Sequence, residues 1–178
     1  MRRDRTYGLM AEFDTPTHLV EAANATREAG YKKIDAYSPF PIEGLAEAIG
    51  FRHNLVPLVT LIGGLIGGLG GYFMQYWMMA INYPINVGGK PPNSWPAFIV
   101  ITFEMTILFG AIFSVLGMLA LNGLPMPYHP VFNVPRFAMA TKDRFFLIVF
   151  ASDPKFEAMS TRQFLEGLGT RSISEVPD

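Results

Sequence analysis

The chain has 178 residues, of which half are hydrophobic and only 16% are charged, and its mean hydropathy is positive. This composition is apolar for a soluble domain of this length and favours a membrane protein. The formal net charge of -1 excludes the strongly basic surface that holds nucleic acid, so no nucleic-acid partner is expected. Because the sequence has no cysteine, it excludes disulfides, thiolate zinc sites, iron–sulfur clusters and covalently attached c-type haem in this chain.

The first soluble segment has the pattern of a strand, a helix and a second strand. Residues 7–13 are predicted to form the first strand. Thr15 is the predicted N-cap of a helix that has Pro16 at its first position and stops at Gly30. A second strand is predicted at residues 31–37. This order predicts a βαβ-type unit.

Two long apolar runs, residues 55–81 and 97–121, dominate the middle of the chain. At ~1.5 Å rise per residue, each run is long enough to cross a hydrocarbon core of about 30 Å with some tilt. The segment between them is rich in Pro, Gly and Asn and is too short and irregular to be a domain. We therefore predict a transmembrane hairpin in the lipid bilayer.

The positions of Lys and Arg set the predicted orientation of the hairpin. Arg52 borders the first run, and Arg136, Lys142 and Arg144 follow the second. The connecting loop holds Lys90 alone. Because cytoplasmic flanks carry the excess of Lys and Arg, the N- and C-termini are expected to be cytoplasmic.

The first apolar run contains the stretch GGLIGGLGG, residues 63–71. It does not fit a dinucleotide-binding fingerprint, because Phe73 stands where the third glycine is required, and no Gly-Lys-Ser/Thr of a P-loop occurs. At about 100° per residue, the glycines fall on one side of a helix and bulky residues on the other. In lipid, small residues at this spacing let two helices approach closely. We predict a helix-packing seam, which we call the glycine seam, formed by Gly63, Gly64, Gly67, Gly68, Gly70 and Gly71.

Two interpretations of the glycine seam stay open. Its width is enough to receive more helix than the second run supplies, which points to helices of other subunits. Alternatively, Gly110 and Gly117 of the second run meet the seam, and nothing else is required.

Glu104 is the only ionisable residue inside either apolar run apart from tyrosine. A charged carboxylate at membrane depth costs about 2.5–3.5 kcal/mol on insertion scales, and such residues face protein or a water-filled cavity. Two roles stay open for Glu104. It belongs to a proton path or another functional polar contact, or it is a hydrogen-bonded packing residue.

The segment after the second run repeats the strand–helix–strand order. Strands are predicted at residues 144–151 and 171–176. The helix between them is predicted to open with a Ser160/Gln163 capping box and to stop near Gly169. Two such halves predict an α+β fold, namely a ferredoxin-like split βαβ domain interrupted by the transmembrane hairpin. Each half alone is too small to bury its sheet, so the halves must pair.

The predicted organisation has five parts: residues 1–53, the first half of a cytoplasmic ferredoxin-like domain; 54–82, transmembrane helix 1; 83–96, a periplasmic loop; 97–121, transmembrane helix 2; and 122–178, the second half of the domain. The predicted core of the domain consists of apolar residues from both halves: Leu19, Val20, Ala22, Ala23, Ile34, Phe146, Ile148, Phe150, Phe164, Leu165 and Leu168.

The search for chemical motifs predicts no catalytic, cofactor-binding or metal-binding residues. His18, His53 and His129 are scattered and lack the spacing typical of metal ligands. Asp14 and Asp153 each precede a turn or a helix start, where they are better explained as turn and cap residues than as catalytic acids.

Two blocks of sequence resemble ActD, the two-span subunit of bacterial alternative complex III. The first is YGLMAEFDTPTHLVEAANATREAGYKKIDAYSPFPIEGL, which precedes the glycine-rich run, and the second is PYHPVFNVPRFAMATKDRFFLIVFASDPKF, which follows the second run. That complex is a membrane quinol:electron-acceptor oxidoreductase that replaces the cytochrome bc-type complex in many bacteria. The resemblance covers nearly the whole chain.

The resemblance implies a subunit of a respiratory or photosynthetic electron-transfer complex in the bacterial cytoplasmic (inner) membrane. It implies that haem c and iron–sulfur clusters are held by partner subunits, and that the large multi-span subunits hold the quinol pocket and the proposed proton paths. This chain is then expected to be a cofactor-free scaffold that is not catalytic alone. The family supplies no catalytic residue, and the roles considered for Glu104 do not come from it.

Three functions stay open from the sequence. The first is a structural subunit that contacts its neighbours through the glycine seam and through the segments SPFPIEGL and PMPYHPVFNVP. The second is a membrane-anchored small-molecule sensor, because ferredoxin-like domains often bind ligands. The third is a proton-conducting subunit that uses Glu104.

Overall fold

A computed structural model describes residues 6–51 and 54–178 of the chain. The chain divides into two compact units, one drawn from Met1–Arg52 with Pro127–Asp178 and the other from His53–Met126. The first unit mixes helices and strands, and the second is a helical hairpin. Arg52 and His53, which the sequence analysis used, lie outside the described residues.

The helices and strands follow one another in the order that the sequence predicts, with one short helix added. In chain order they are β1 (Thr6–Phe13), α1 (Pro16–Glu28), β2 (Ile34–Tyr37), α2 (Leu45–Ala48), α3 (Val56–Tyr76), α4 (Trp95–Leu121), β3 (Phe145–Phe150), α5 (Ala158–Glu166) and β4 (Ser172–Pro177). A π-helical turn, Trp77–Asn82, continues α3, and two 3-10 helices, Pro130–Asn133 and Pro135–Thr141, precede β3.

Local signals define α1 as predicted. The backbone N–H of His18 donates to Thr15 Oγ1 at 3.3 Å, so Thr15 is the N-cap, and Pro16 occupies the first turn. After the helix, Gly30 has a φ of 96°, a left-handed conformation that glycine adopts without steric cost. The predicted start and stop of this helix are therefore confirmed.

Helix α5 begins earlier than the sequence analysis predicts. The residue before the first turn is Glu157, whereas Ser160 lies inside the helix. The Ser160 hydroxyl donates to Glu157 Oε2 at 3.0 Å, and the backbone N–H of Glu157 donates to Thr161 Oγ1 at 3.2 Å. The predicted Ser160/Gln163 capping box is wrong, because the polar side chains of the first turn bond back to Glu157 instead.

Residues on both sides of the hairpin form one antiparallel sheet with the strand order β2-β3-β1-β4. The central pair joins β1 to β3, with Gly8 opposite Phe150 and Phe13 opposite Phe145. Strand β2 extends the sheet beyond β3, and β4 extends it beyond β1. Because β1 precedes the hairpin and β3 follows it, neither half of the chain can build this sheet alone.

The helices α1, α2 and α5 cover one face of the sheet. Leu19, Leu45 and Leu165 from these helices pack with strand residues such as Leu9 and Leu147, and all five are buried. Most of the predicted core residues lie here. The short helix α2, which the sequence analysis did not predict, therefore places part of the segment SPFPIEGL in the core of this chain.

The opposite face of the sheet is covered by the two 3-10 helices, a layer that the sequence analysis missed. Val131 and Phe137 from these helices, and Val134 between them, pack on Phe146 and Ile148, and all are buried. Successive residues of a strand point to opposite faces, so the predicted core residues of β3 belong to this second layer. The signal was the unbroken apolar run FFLIVF, which is typical of a strand buried on both faces.

Phe137 and Phe132 make a matched pair for testing the second layer. Phe137 is 7% exposed and Phe132 is 71% exposed, although their rings lie in the same segment. We expect Phe137→Ala to lower the free energy of unfolding of this unit by about 3–5 kcal/mol, because the change leaves a cavity under the sheet. Phe132→Ala should lower it by about 1 kcal/mol or less. Protease susceptibility of the full chain during urea denaturation in mild detergent measures the free energy of unfolding of both variants. Equal losses in the two variants would contradict burial of Phe137 in the second layer.

The hairpin unit consists of two helices that are long and apolar enough to cross a membrane. They are Val56–Asn82, including the π-helical turn, and Trp95–Leu121, each 27 residues long. At 1.5 Å per residue, a helix of this length reaches about 40 Å, which exceeds the ~30 Å hydrocarbon core. Their bounds differ by at most two residues from the two predicted runs.

Candidate functional site

Three glycines of the glycine seam are buried against α4. They are Gly63, Gly67 and Gly71, which recur every four residues along α3. A Cβ on Gly67 would collide with the backbone oxygen of Met105 and would lie 2.7 Å from Cβ of Phe109. A Cβ on Gly63 would lie 2.9 Å from the Phe109 oxygen. The two helix backbones can approach this closely only because these positions lack side chains.

The other three glycines of the seam have different surroundings. A Cβ on Gly64 would lie 3.6 Å from Thr106 Cγ2, an ordinary contact, whereas one on Gly68 would lie 2.6 Å from Thr106 Oγ1. Gly70 is exposed and has no atom within 4 Å of a Cβ position. The seam is thus divided into a buried stripe, an open flank at Gly64 and Gly68, and the exposed Gly70 on the opposite side of the stripe.

The open flank is a groove between α3 and α4. Its volume is about 440 Å³, and Gly64 and Gly68 form part of its surface. The Thr106 hydroxyl donates to the Thr102 carbonyl oxygen at 2.7 Å, so it does not present a free donor to the groove. The groove is therefore almost entirely apolar, and its remaining lining residues are Leu61, Leu65, Leu69, Tyr72 and Thr102.

Helix α4 meets α3 with small residues of its own. A Cβ on Gly110 would lie 3.9 Å from the Cα of Gly64, and one on Gly117 would lie 2.7 Å from Val59 Cγ1. These contacts correspond to the interpretation in which the hairpin occupies much of the glycine seam by itself.

Gln75 is a packing residue that the sequence analysis missed. It is 3% exposed, and its Nε2 donates to the Gly71 oxygen at 3.1 Å, the Phe98 oxygen at 3.2 Å and Thr102 Oγ1 at 3.4 Å. Such hydrogen bonds between membrane helices average about 0.6 kcal/mol. The signal was available, because Gln75 continues the four-residue spacing of the buried glycines.

Alanine substitutions in the glycine seam test the close approach of α3 and α4. We expect Gly67→Ala to weaken the hairpin by about 1–3 kcal/mol, as overpacking does, and Gly70→Ala to leave it unchanged. The readout is a disulfide between Val59→Cys and Gly117→Cys, because a Cβ on Gly117 lies 3.3 Å from that of Val59. On addition of oxidant, Gly67→Ala should reduce the crosslinked fraction severalfold. Equal yields in the two variants would contradict the buried stripe.

Glu104 lies on the exposed surface of the hairpin, away from the contacts with α3. Its helical neighbours Val100 and Leu108 are 62% and 51% exposed. Lys90 is the only other charged residue in the sequence from 54 to 126. The hairpin therefore does not bring Glu104 together with the glycine seam or with a chain of polar residues.

A buried ion cluster lies on β1 in the first unit. Glu12 is 2% exposed, and Arg136 donates from Nε and Nη2 to its two carboxylate oxygens at 2.6 Å each. Ser172 Oγ donates to Glu12 at 2.9 Å, and Arg144 and Arg171 lie 3.8 Å away. The hydrogen bonds from Arg136 outweigh burial and hold the pKa of Glu12 below its usual value.

The cluster connects segments that are far apart in the chain. Arg136 belongs to a 3-10 helix of the second layer, and Ser172 belongs to β4. The Arg144 and Arg171 guanidiniums also bind Asp14, which follows β1. Because each of these arginines already has a carboxylate partner, the cluster holds the fold together and does not form a ligand site.

Asp153 is a second buried carboxylate with a structural role. It is 5% exposed and accepts the backbone N–H groups of Lys32 and Lys33, each at 2.6 Å, and of Lys155 at 2.8 Å. Burial raises the pKa of Asp153, but these hydrogen bonds outweigh it, so the pKa lies below its usual value. These bonds also explain why β2 begins at Ile34 and not at residue 31 as predicted.

Acid should weaken the first unit through Glu12. Its pKa is lower in the folded chain than the unfolded value of about 4.3, so its stabilisation is complete above that pH and is lost as the pH falls through the folded pKa. We expect Glu12→Gln to remove about 1–3 kcal/mol at neutral pH and to flatten this acid dependence. Urea denaturation at pH 7 and at about pH 3 measures the free energy of unfolding on both sides of this window, with the exposed Glu21→Gln as control. A Glu12→Gln chain as stable as the control would contradict the cluster's role.

The histidines do not form a metal site among the described residues, where no group of three or more His, Asp or Glu side chains is placed to hold a metal ion. His18 is exposed on α1. His129 Nδ1 accepts the backbone N–H of Val131 at 3.4 Å, and its Nε2 lies 3.4 Å from the Tyr7 hydroxyl.

These features define a class of protein, namely an α+β unit whose sheet is completed across an inserted hairpin of two membrane-capable helices. The family described as "Alternative complex III, ActD subunit" matches residues 7–175. The chain therefore belongs to the ActD subunit family of alternative complex III, as the resemblance predicts. No curated protein matches the chain. Family membership implies a subunit of a multi-subunit electron-transfer complex, and with the two helices it indicates a membrane location.

Proposed function

We propose that the chain is a cofactor-free, non-catalytic structural subunit that helps to assemble alternative complex III in the bacterial cytoplasmic membrane. The observation that carries the proposal is the division of the glycine seam. Gly63, Gly67 and Gly71 hold α4, whereas Gly64 and Gly68 remain at a groove on the outer surface of the hairpin. Small residues in a groove within a membrane are suited to close contact with a helix of another subunit.

The proposed occupants of the groove are helices of the multi-span quinol-binding subunits, while haem c and iron–sulfur clusters belong to further partner subunits. Family membership supports partners within one complex. The apolar lining of the groove supports a helix, because apolar side chains fill such a surface without leaving buried polar groups.

We further propose that both termini are cytoplasmic and that the loop at residues 83–94 is periplasmic. The β1–β3 pairing supports this topology, because strands on both sides of the hairpin can pair only on one side of the membrane. The positions of Lys and Arg set the direction. The proposed arrangement of the first unit is ferredoxin-like, which the order of strands and helices around the inserted hairpin supports.

Purification of the tagged full chain in mild detergent tests the function. We expect multi-span and haem-containing subunits to co-purify at fixed stoichiometry. Gly64→Leu should lower their recovery severalfold, because the side chain fills the groove while its Cβ fits at 3.6 Å from Thr106. Gly70→Leu, on the opposite flank of the buried stripe, is the matched control. A lone, monodisperse protein from native membranes would refute the proposal.

A further inference from the structure

Helix α4 has a second face that its contact with α3 leaves uncovered. Thr102, Met105 and Phe109 recur along the side that meets α3. At about 100° per residue, Glu104 falls roughly 130° from the middle of that stripe. The carboxylate therefore points away from α3, the other helix of the hairpin.

The depth of Glu104 makes this position costly in lipid. It is the tenth residue of the 27-residue helix that starts at Trp95, and Leu108 marks the middle of that helix. Four residues at 1.5 Å each put Glu104 about 6 Å from the midpoint, within a hydrocarbon half-thickness of about 15 Å. On insertion scales a charged residue at such a depth costs about 2.5–3.5 kcal/mol, and intramembrane carboxylates are paired.

No residue of the hairpin can pair with it. Lys90, the only other charged residue in the sequence from 54 to 126, lies fourteen positions earlier (104 minus 90) and outside α4. The nine helical steps from Trp95 to Glu104 alone correspond to about 14 Å, which exceeds the reach of a lysine side chain, and Lys90 lies before α4 begins. Lipid tails offer no hydrogen-bond donor, so a donor for Glu104 has to come from outside the hairpin.

Small residues flank Glu104 on the same face. Ala97 and Ala111 lie seven positions before and after it, and both are exposed. Residues at this spacing share one side of a helix, and alanine there permits close approach of a neighbouring helix. This face of α4 thus combines a carboxylate at hydrocarbon depth with small residues that let a second helix approach closely.

We propose that the Glu104 face of α4, defined by Ala97, Glu104 and Ala111, docks against a transmembrane helix of another subunit that presents Lys or Arg at the same depth. The inference rests on the proposed role as a membrane subunit and adds a second contact surface, separate from the groove at Gly64. The hairpin is then held between two partner helices, and Glu104 forms the charge-matched contact on one side.

Crosslinking from this face tests the occupant. Because the sequence has no cysteine, Ala97→Cys and Ala111→Cys can each carry a single benzophenone in the intact complex. Ile112→Cys, about 100° further around α4, is the control. We expect both face positions to crosslink one partner subunit, in a transmembrane segment that mass spectrometry shows to contain Lys or Arg, and the control to crosslink it less. Adducts with lipid alone, or with a helix lacking a basic residue, would overturn the proposal.

Substitutions of Glu104 give an independent test that is separable from the proposed function. In complexes purified through the tagged chain, Glu104→Leu and Glu104→Lys should lower recovery of that partner by about tenfold relative to Ile112→Leu, as loss of an intramembrane charge pair of ~1.4 kcal/mol or more predicts. A compensating change of the partner's basic residue to Glu should restore the Glu104→Lys complex. Carbonate-resistant membrane retention controls for insertion.

Failure of the two proposals is distinguishable. If the wild-type chain co-purifies with its complex and Glu104→Leu does so equally well, the Glu104 face is not a docking surface, while the structural role stands. If Glu104→Gln assembles normally but slows proton transfer, Glu104 belongs to a proton path and the docking proposal is overturned. If the wild-type chain purifies alone, the proposed function fails first.

Discussion

Pairing between β1 and β3 is the constraint on which the rest of the structure depends. The two strands lie on opposite sides of the inserted hairpin in the sequence, yet they form the centre of one sheet. The chain must therefore leave the sheet, complete the hairpin and return. Glu12 and Asp153 reinforce this closure, because each carboxylate binds groups from the other side of the insertion. The buried charges of the first unit thus join its halves, which explains why they do not form a site for chemistry.

In the hairpin, as in the first unit, the few buried polar side chains join distant segments. Backbone contact over glycines holds α3 to α4, and Gln75 adds the one buried side-chain amide between them among the described residues. What remains outside this contact is an apolar groove on one flank and the Glu104 face on the far side of α4. In an isolated two-helix hairpin, a carboxylate at that depth would face lipid without a partner, which is costly. In a subunit packed between other helices, the carboxylate can be paired.

Features that depend on local physics were predictable from the sequence. Thr15, Pro16 and Gly30 define α1 because capping and a positive φ involve only a few neighbouring residues. The two membrane-capable helices follow from their length and apolarity alone, and the family follows from two long blocks of sequence. The pairing of the two halves was also predictable, since neither is large enough to bury a sheet.

The tertiary structure decided what depends on contacts between distant segments. Phe146 was predicted to be in the core, but only the packing of Phe137 from the 3-10 helices assigns it to the second face of the sheet. Likewise, periodicity placed six glycines on one side of α3, but the position of α4 decides that Gly67 is buried and Gly70 is open. The sequence by itself determined which segments become helices, strands and membrane-capable runs, because these follow from neighbouring residues. Only the tertiary structure decided which element packs on each face of a helix or strand, because those contacts involve residues far apart in the chain.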